Sequence, residues 1–194
     1  MGQGKQAKVL SDAQMKAALA YLERTRYPLR DQVLFLLSTK AGLRAKEIAH
    51  LQWWMVTDAE GVLSDCITLD DQASKGRSGR TIPLHRHLVL ALTALQQAIV
   101  AESDDFVIVS ERGERMRASS IVGWFQRLYT NLGFDGCSSH SGRRTFITNA
   151  ARKVSLVGAS LRDVQQLAGH ASLNTTQRYV EGDSEAKRKL IGLI

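Results

Sequence analysis

Arg44, Lys75, His140, Arg143, His170 and Tyr179 bring together two guanidiniums, an ammonium, two imidazoles and a phenol. That set would let a tyrosine attack a phosphodiester without a metal ion. Such an ester resists attack because its non-bridging oxygens are already negative and gain charge in the transition state. Fixed cations at those oxygens give the largest benefit, and the planar fork of arginine fits two of them at once. One well-placed arginine on a transferring phosphoryl group is worth roughly 10³–10⁵ in rate. A free phenol with a pKa near ~10 is ionised in only about one molecule in a thousand at pH 7, so the attack needs help worth about 4 kcal/mol. His140 and His170 are suited to accept that proton or to donate hydrogen bonds to the phosphate. Lys75 is suited to protonate a departing 5′ oxygen or to enter the minor groove beside the cut.

Taken singly, most of these residues have an ordinary alternative. Arg44 can pair at a surface with Glu47, three positions on. Tyr179 can be a half-buried tyrosine on a terminal helix, His170 a capping residue after Gly169, and Lys75-Gly76 a solvated turn. Arg143 is harder to dismiss, since Arg144 beside it adds a repulsion that an anion at the helix N-terminus would relieve. The weight lies in four segments in order. These are Ala41-Gly42-Leu43-Arg44 with Glu47; Lys75-Gly76 ahead of Arg80-Thr81-Ile82-Pro83-Leu84; His140-Ser141-Gly142-Arg143; and Leu167-Ala168-Gly169-His170, nine residues before Tyr179.

The elements that must position them follow from pattern. Ser11-Asp12-Ala13-Gln14 is a capping box opening a helix to about Arg24. Pro28 starts a second helix with Val33, Leu36, Leu37 and Ala41 on one face; Gly42 ends or bends it, and Ala45 to Leu51 reads as a further short helix. From Trp53 to Leu84 the chain turns to two or three short antiparallel strands, with Ile67-Thr68-Leu69 and Arg80-Thr81-Ile82 flanking a hairpin. Helices return at Leu88, Leu92, Leu95 and Ile99, and again at Ile121, Phe125, Leu128 and Leu132. Phe106 to Val109 reads as an isolated strand or an extended connector. A helix from His140 to Val154 is expected to bury Ile147, Ala150, Ala151 and Val154, and another runs from Leu161 to Ala168. Asn174 is expected to cap a short helix that contains Tyr179. The tail from Ser184 is basic and amphipathic.

Composition bounds the rest. The 194 residues, 44% hydrophobic with 2 prolines, describe one ordered domain able to bury a core. No apolar run is long enough to span a bilayer and residues 1–10 hold no signal-peptide core, so a cytoplasmic protein without membrane partners is expected. Cys66 and Cys137 stand apart, with no metal-ligand spacing, which points to a reduced compartment and no structural metal. The net charge of +7 is concentrated. Gln72 to Leu90 holds Lys75, Arg77, Arg80 and Arg86 and no acid; Cys137 to Tyr179 holds Arg143, Arg144, Arg152, Lys153, Arg162 and Arg178 against Asp163 alone. Clustered cations suit a polyanion, with steep salt dependence, although a basic solvated face has the same composition.

The four segments, over nearly the whole length from Val9 to Tyr179, resemble the catalytic domain of the tyrosine recombinases, the phage-integrase family. The resemblance implies an α+β, mainly α fold, that of the DNA breaking-rejoining enzymes, with a small antiparallel sheet at one edge. It divides the chain into a short extension (1–8), a catalytic domain (9–182) and a tail (183–194) that docks on a neighbouring protomer. It assigns catalysis to Arg44, Lys75, His140, Arg143, His170 and Tyr179, support to Glu47, and DNA contacts to Arg77, Arg80 and Arg144. Tyr179 would form a transient 3′-phosphotyrosyl link, with no cofactor, ATP or divalent metal. The implied partner is double-stranded DNA, with a homo-tetramer on two DNA sites and room for accessory DNA-bending proteins. The setting would be a bacterial phage, integrative element or inversion system.

Three departures stand out. Members usually carry a DNA-clamping domain ahead of the catalytic one, whereas residues 1–8 alone precede it here, as in a short member or one that has lost its clamp. Gly142 and Arg144 stand where leucine and histidine are common, and Trp53-Trp54-Met55 replaces a more polar stretch, so packing or a partner contact would differ there. Two other readings are a type IB topoisomerase, with the same chemistry but no partner exchange, and a DNA-binding regulator with a silent site. The complete set of boxes disfavours both.

Overall fold

Helix α2 (Pro28–Lys40) organises the fold, and in the computed structural model, which describes residues 6–70, 79–179 and 191–192, nearly every side of it is covered. The spacing predicts one apolar face, yet every residue from Val33 to Thr39 is buried. The reason is position: α2 packs against α1 (Asp12–Leu22), α3 (Ala45–His50), α4 (Arg86–Gln97) and α6 (Ser141–Lys153), and keeps almost no solvent face. The capping box forms as expected, with Gln14 N–H on Ser11 Oγ at 3.2 Å and Ser11 N–H on Gln14 Oε1 at 3.0 Å.

Two glycines set how closely α6 approaches α2. Gly42 leaves α2 with φ +66°, and a Cβ there would lie 2.9 Å from Phe146 Cε1. Gly142 sits on α6 where a Cβ would press into Ser38, 2.9 Å from its Cβ and nearer still to its Oγ. The glycine at the position where leucine is common is thus what lets the two helices touch.

Strands β1 (Cys66–Leu69) and β2 (Arg80–Pro83) pair antiparallel with Ile67 opposite Ile82, and both isoleucines point into the core. Among the described residues the sheet has these two strands; beside it Thr57 and Leu63 form an isolated bridge rather than a third. Phe106 to Val109 is an extended connector with bridges only at its ends, Gln52–Phe106 and Val109–Arg115. Trp53 and Met55 sink into the core from a 3-10 turn, leaving Trp54 partly exposed.

Helix α5 (Ala118–Asn131) buries Ile121, Phe125 and Leu128 as its spacing predicts. Helix α4 stops at Gln97, so Ile99 lies beyond it and is exposed. Helix α6 ends at Lys153, and Val154 opens a 3-10 turn to Val157; Ile147 and Ala151 are buried, Ala150 and Val154 only half so. Helices α7 (Leu161–Ala168) and α8 (Leu173–Gln177) follow. Ser172, not Asn174, precedes α8, and Tyr179 lies in the turn beyond it rather than within it. One large apolar cluster spans α1 to α5; a second, small one joins Ile147, Ala151, Val164 and Ala168, with Tyr179 packed on it. No helix among the described residues is long and apolar enough to cross a membrane.

Candidate active site

The last carbonyls of α7 are the point on which the site is built. A helix leaves its final C=O groups without partners and carries partial negative charge there. Here three successive carbonyls each accept from a different arginine. Leu167 O takes Arg80 Nε–H at 2.9 Å, Ala168 O takes Arg143 Nη2–H at 2.6 Å, and Gly169 O takes Arg44 Nη2–H at 3.3 Å. Gly169 makes this possible by turning left-handed at φ +59°; a Cβ there would meet the Arg80 guanidinium at 2.7 Å. Three sequence segments therefore close on one helix end.

Glu47 draws two of these cations together and fixes them in place. It is 1% exposed and binds Arg80 through both oxygens, at 2.9 and 3.1 Å, while Arg44 Nη1 reaches Oε1 at 2.7 Å. The same carboxylate accepts the Arg44 backbone N–H at 2.8 Å, capping α3. Burial pushes the Glu47 carboxyl up, but Arg80 and Arg44 together outweigh it and hold it below the usual range. Arg143, 6% exposed, adds a second bond to Gly42 O at 2.6 Å, so it ties the turn after α2 to the end of α7. Burial first, then neighbouring Arg44, lowers its pKa to about 10, which leaves it charged at neutral pH.

His170 follows directly. Its N–H bonds Gln165 O at 3.0 Å, its carbonyl accepts Gln165 Nε2–H at 2.9 Å, and its Nδ1 lies 2.9 Å from Thr176 Oγ1. Burial, then Arg143, Arg44 and Arg80, push its pKa down to about 4, so it is a neutral imidazole at pH 7. The Tyr179 ring stacks beside it, centroids 5.7 Å apart at 22°. Tyr179 also lines a pocket of about 500 Å³ with His140, Arg143, Arg144 and Arg178. His140 is exposed at its rim, at the N-cap of α6.

The structure thus brings Arg44, Glu47, His140, Arg143, Arg144, His170 and Tyr179 into one region. Arg80 differs from the expectation of a DNA contact: its side chain is 6% exposed and its N–H groups are taken by Glu47 and Leu167 O. It is an internal strut, because the buried carboxylate needs a bidentate partner. Lys75 and Arg77 lie outside the described residues. Sequence reasoning missed Thr176, the His170 partner, and Arg178 and Gln6, which line the pocket. Arg178 adjoins Tyr179 and was open to notice; nothing in the pattern marks Gln6.

Residues 8–186 match the phage integrase family model, and the chain belongs to that family. Its curated relatives are tyrosine recombinases: it is 26% identical to XerA of Thermococcus kodakarensis over 189 residues (94% of this chain, 61% of that one) and 31% identical to XerD of Ralstonia nicotianae over 193 (94% and 58%). The chain therefore spans about three fifths of their length, and these relatives come from an archaeon and a bacterium alike. A crystal structure of XerA recombinase matches with TM-score 0.71 at 27% identity, over 95% of this chain and 64% of that one. XerH site-specific recombinase bound to palindromic difH matches at 0.74 and 19% identity, over 98% and 53%, a likeness of fold alone.

Proposed function

We propose that this chain is the strand-cutting domain of a site-specific DNA recombinase, with Tyr179 as the nucleophile. The Tyr179 oxygen attacks the scissile phosphorus as the bond to the 5′ oxygen breaks. The electron pair leaves on that oxygen, which takes up a proton, and the phenol proton passes to an imidazole. A 3′-phosphotyrosyl link and a 5′ hydroxyl result; a 5′ hydroxyl from a partner duplex then attacks the link and releases the tyrosine. One phosphoester is exchanged for another, so the bond energy is kept and no nucleotide is consumed.

Arg44 and Arg143 take the non-bridging oxygens, with the N–H groups that their carbonyl and Glu47 bonds leave over. His170, whose ring lies beside that of Tyr179, is assigned the phenol proton, and exposed His140 a hydrogen bond to the phosphate. Lys75, outside the described residues, is assigned the proton for the 5′ oxygen, and Arg77 a backbone phosphate. The observation that carries this reading is the convergence of Arg44, Arg143 and His170 on the end of α7, with the Tyr179 ring 5.7 Å from His170. The XerH structure is of a post-cleavage complex with its palindromic difH substrate, and double-stranded DNA is the partner that this reading takes for the chain. A tetramer on two sites, the tail from residue 183 docking on a neighbour, and accessory bending proteins belong to the same reading.

The test uses a pool of nicked duplexes with randomised arms, with adducts recovered under denaturing conditions. A covalent protein–DNA species should form, resist chelators and vanish in Tyr179→Phe. An adduct that survives that substitution, or one that needs a divalent ion, would overturn the assignment.

A further inference from the structure

Arg143 and Arg144 are neighbours on α6 with different engagements. Arg143 is driven into two backbone carbonyls, whereas the Arg144 guanidinium carbon lies 5.8 Å from the centre of the Tyr179 ring. A cation within about 6 Å of an aromatic centroid is attracted to the ring. The head of Arg144 is also held from its far end, where Nη1 donates to Gln6 Oε1. Its Nε is buried and has no hydrogen-bond partner among the described residues.

Gln6 belongs to a segment that is itself pinned along the start of α6. Lys8 N–H bonds Gly136 O at 3.1 Å, and Leu10 N–H bonds buried Thr145 Oγ1 at 2.8 Å. Gly136, at φ +79°, lets the strap pass closely, since a Cβ there would stand 2.9 Å from Lys8 Cε. Gln6 and Ala7 then form one wall of the pocket that Tyr179 lines.

We infer that Arg144 is a positioning residue for Tyr179, clasped between the phenol ring and Gln6, so that the segment leading into the domain helps set where the nucleophile stands. The Arg144 guanidinium is half-buried, with one nitrogen bonded to Gln6 and another out of reach of solvent, so its head is fixed beside the phenol ring. The unpaired Nε–H is a donor in reserve for the phenol oxygen when the tyrosine advances. The inference rests on the proposed strand-cutting role, and it can fail while that role stands.

The first measurement needs no DNA. Label the intact chain with 3-fluorotyrosine and assign the Tyr179 resonance by its loss in Tyr179→Phe. Arg144→Gln and Gln6→Ala should both move that resonance, and Arg127→Gln, on α5, should not. An unmoved Tyr179 signal overturns the inference. The second measures single-turnover adduct formation on the nicked pool at saturating DNA, with affinity determined separately. A misplaced nucleophile costs up to ~10² in rate, so Arg144→Gln should slow the step about tenfold at unchanged affinity, with Arg144→Lys recovering most of it. The third supplies hydrogen peroxide as substitute nucleophile in Tyr179→Phe. Adding Arg144→Gln should leave peroxide-driven cleavage unchanged, because the tyrosine it serves is already gone. An equal fall there, or affinity loosening in step with rate, would show that Arg144 serves the phosphate instead. Absence of any adduct from the unsubstituted chain would count against the proposed function, while the fluorine shifts still decide the role of Arg144.

Discussion

Glu47 and the side chains of Arg80 and Arg143 lie within 6% exposure of full burial and are cross-tied by bonds of 2.6 to 3.1 Å to one another or to the backbone of α7 and the α2 turn. Tyr179 has no such frame. It sits beyond a five-residue helix, half-buried, resting on a cluster of four buried residues and on the heads of His170 and Arg144. Local opening is cheapest where few apolar contacts are buried. The contrast fits the proposed division of labour: the guanidiniums assigned to phosphate, and the struts that hold them, are preorganised, because reorganisation at the moment of reaction would cost rate, while the proposed nucleophile must advance and withdraw.

The largest effect should come from breaking the rigid half. Arg143→Ala removes a guanidinium from the developing charge and both of its carbonyl ties, so adduct formation should fall by roughly 10³ or more. Single-turnover rates at saturating nicked DNA test this; a loss under about tenfold would mean that Arg143 is structural only. Glu47→Gln attacks the same half through stability. It leaves Arg80 and Arg44 beside a neutral amide, and breaking a buried pair typically costs about 3–5 kcal/mol. Chemical denaturation should show that loss, and a change within about 0.5 kcal/mol would contradict the strut role of Arg80.

Much of this frame could be read from residue types. Arg44, Arg143, His170 and Tyr179 announced themselves by order, and the pairing of Glu47 with Arg44 by spacing. Arg80 was misread because a cation in a basic run looks solvent-facing; only the fold reveals that a buried carboxylate and the end of α7 claim it. The all-round burial of α2 was hidden too, since Ser38 and Thr39 interrupt its apolar pattern although a close helix crossing at Gly142 covers them. Tyr179 is expected within a short helix that instead ends two residues before it, at Gln177, a difference of the size usual at helix ends.

A matched pair of conservative truncations separates the two halves more finely. Ile108 lies in the large cluster and Ile147 in the small one, both fully buried. Each Ile→Val change should cost about 0.5–1.5 kcal/mol of stability by denaturation. Only Ile147→Val loosens the bed under Tyr179, so it alone should slow adduct formation, by a few-fold. Equal rates in the two variants would place the nucleophile outside the influence of the small cluster.

The smallest effect is a proton linkage at the seam between the halves. His170 faces Arg143 from α6, Arg44 from the α2–α3 turn, Arg80 from β2, Thr176 from α8 and the Tyr179 ring. Its folded pKa of about 4 lies below the ordinary 6.5, so the unfolded chain binds more protons between those values. Stability is therefore full above about pH 6.5 and falls as the pH drops towards 4. A phosphate in the site reverses the local charge and raises the affinity of His170 for a proton. In Tyr179→Phe, which cannot cut, DNA affinity at fixed ionic strength should then rise by a few-fold as pH falls through that window, within the limit of about tenfold per unit for one proton. His170→Gln should flatten both slopes relative to its parent while leaving any contribution of exposed His140 in place. If the affinity slope persists unchanged in His170→Gln, the imidazole does not face the phosphate, and the seam between frame and nucleophile lies elsewhere.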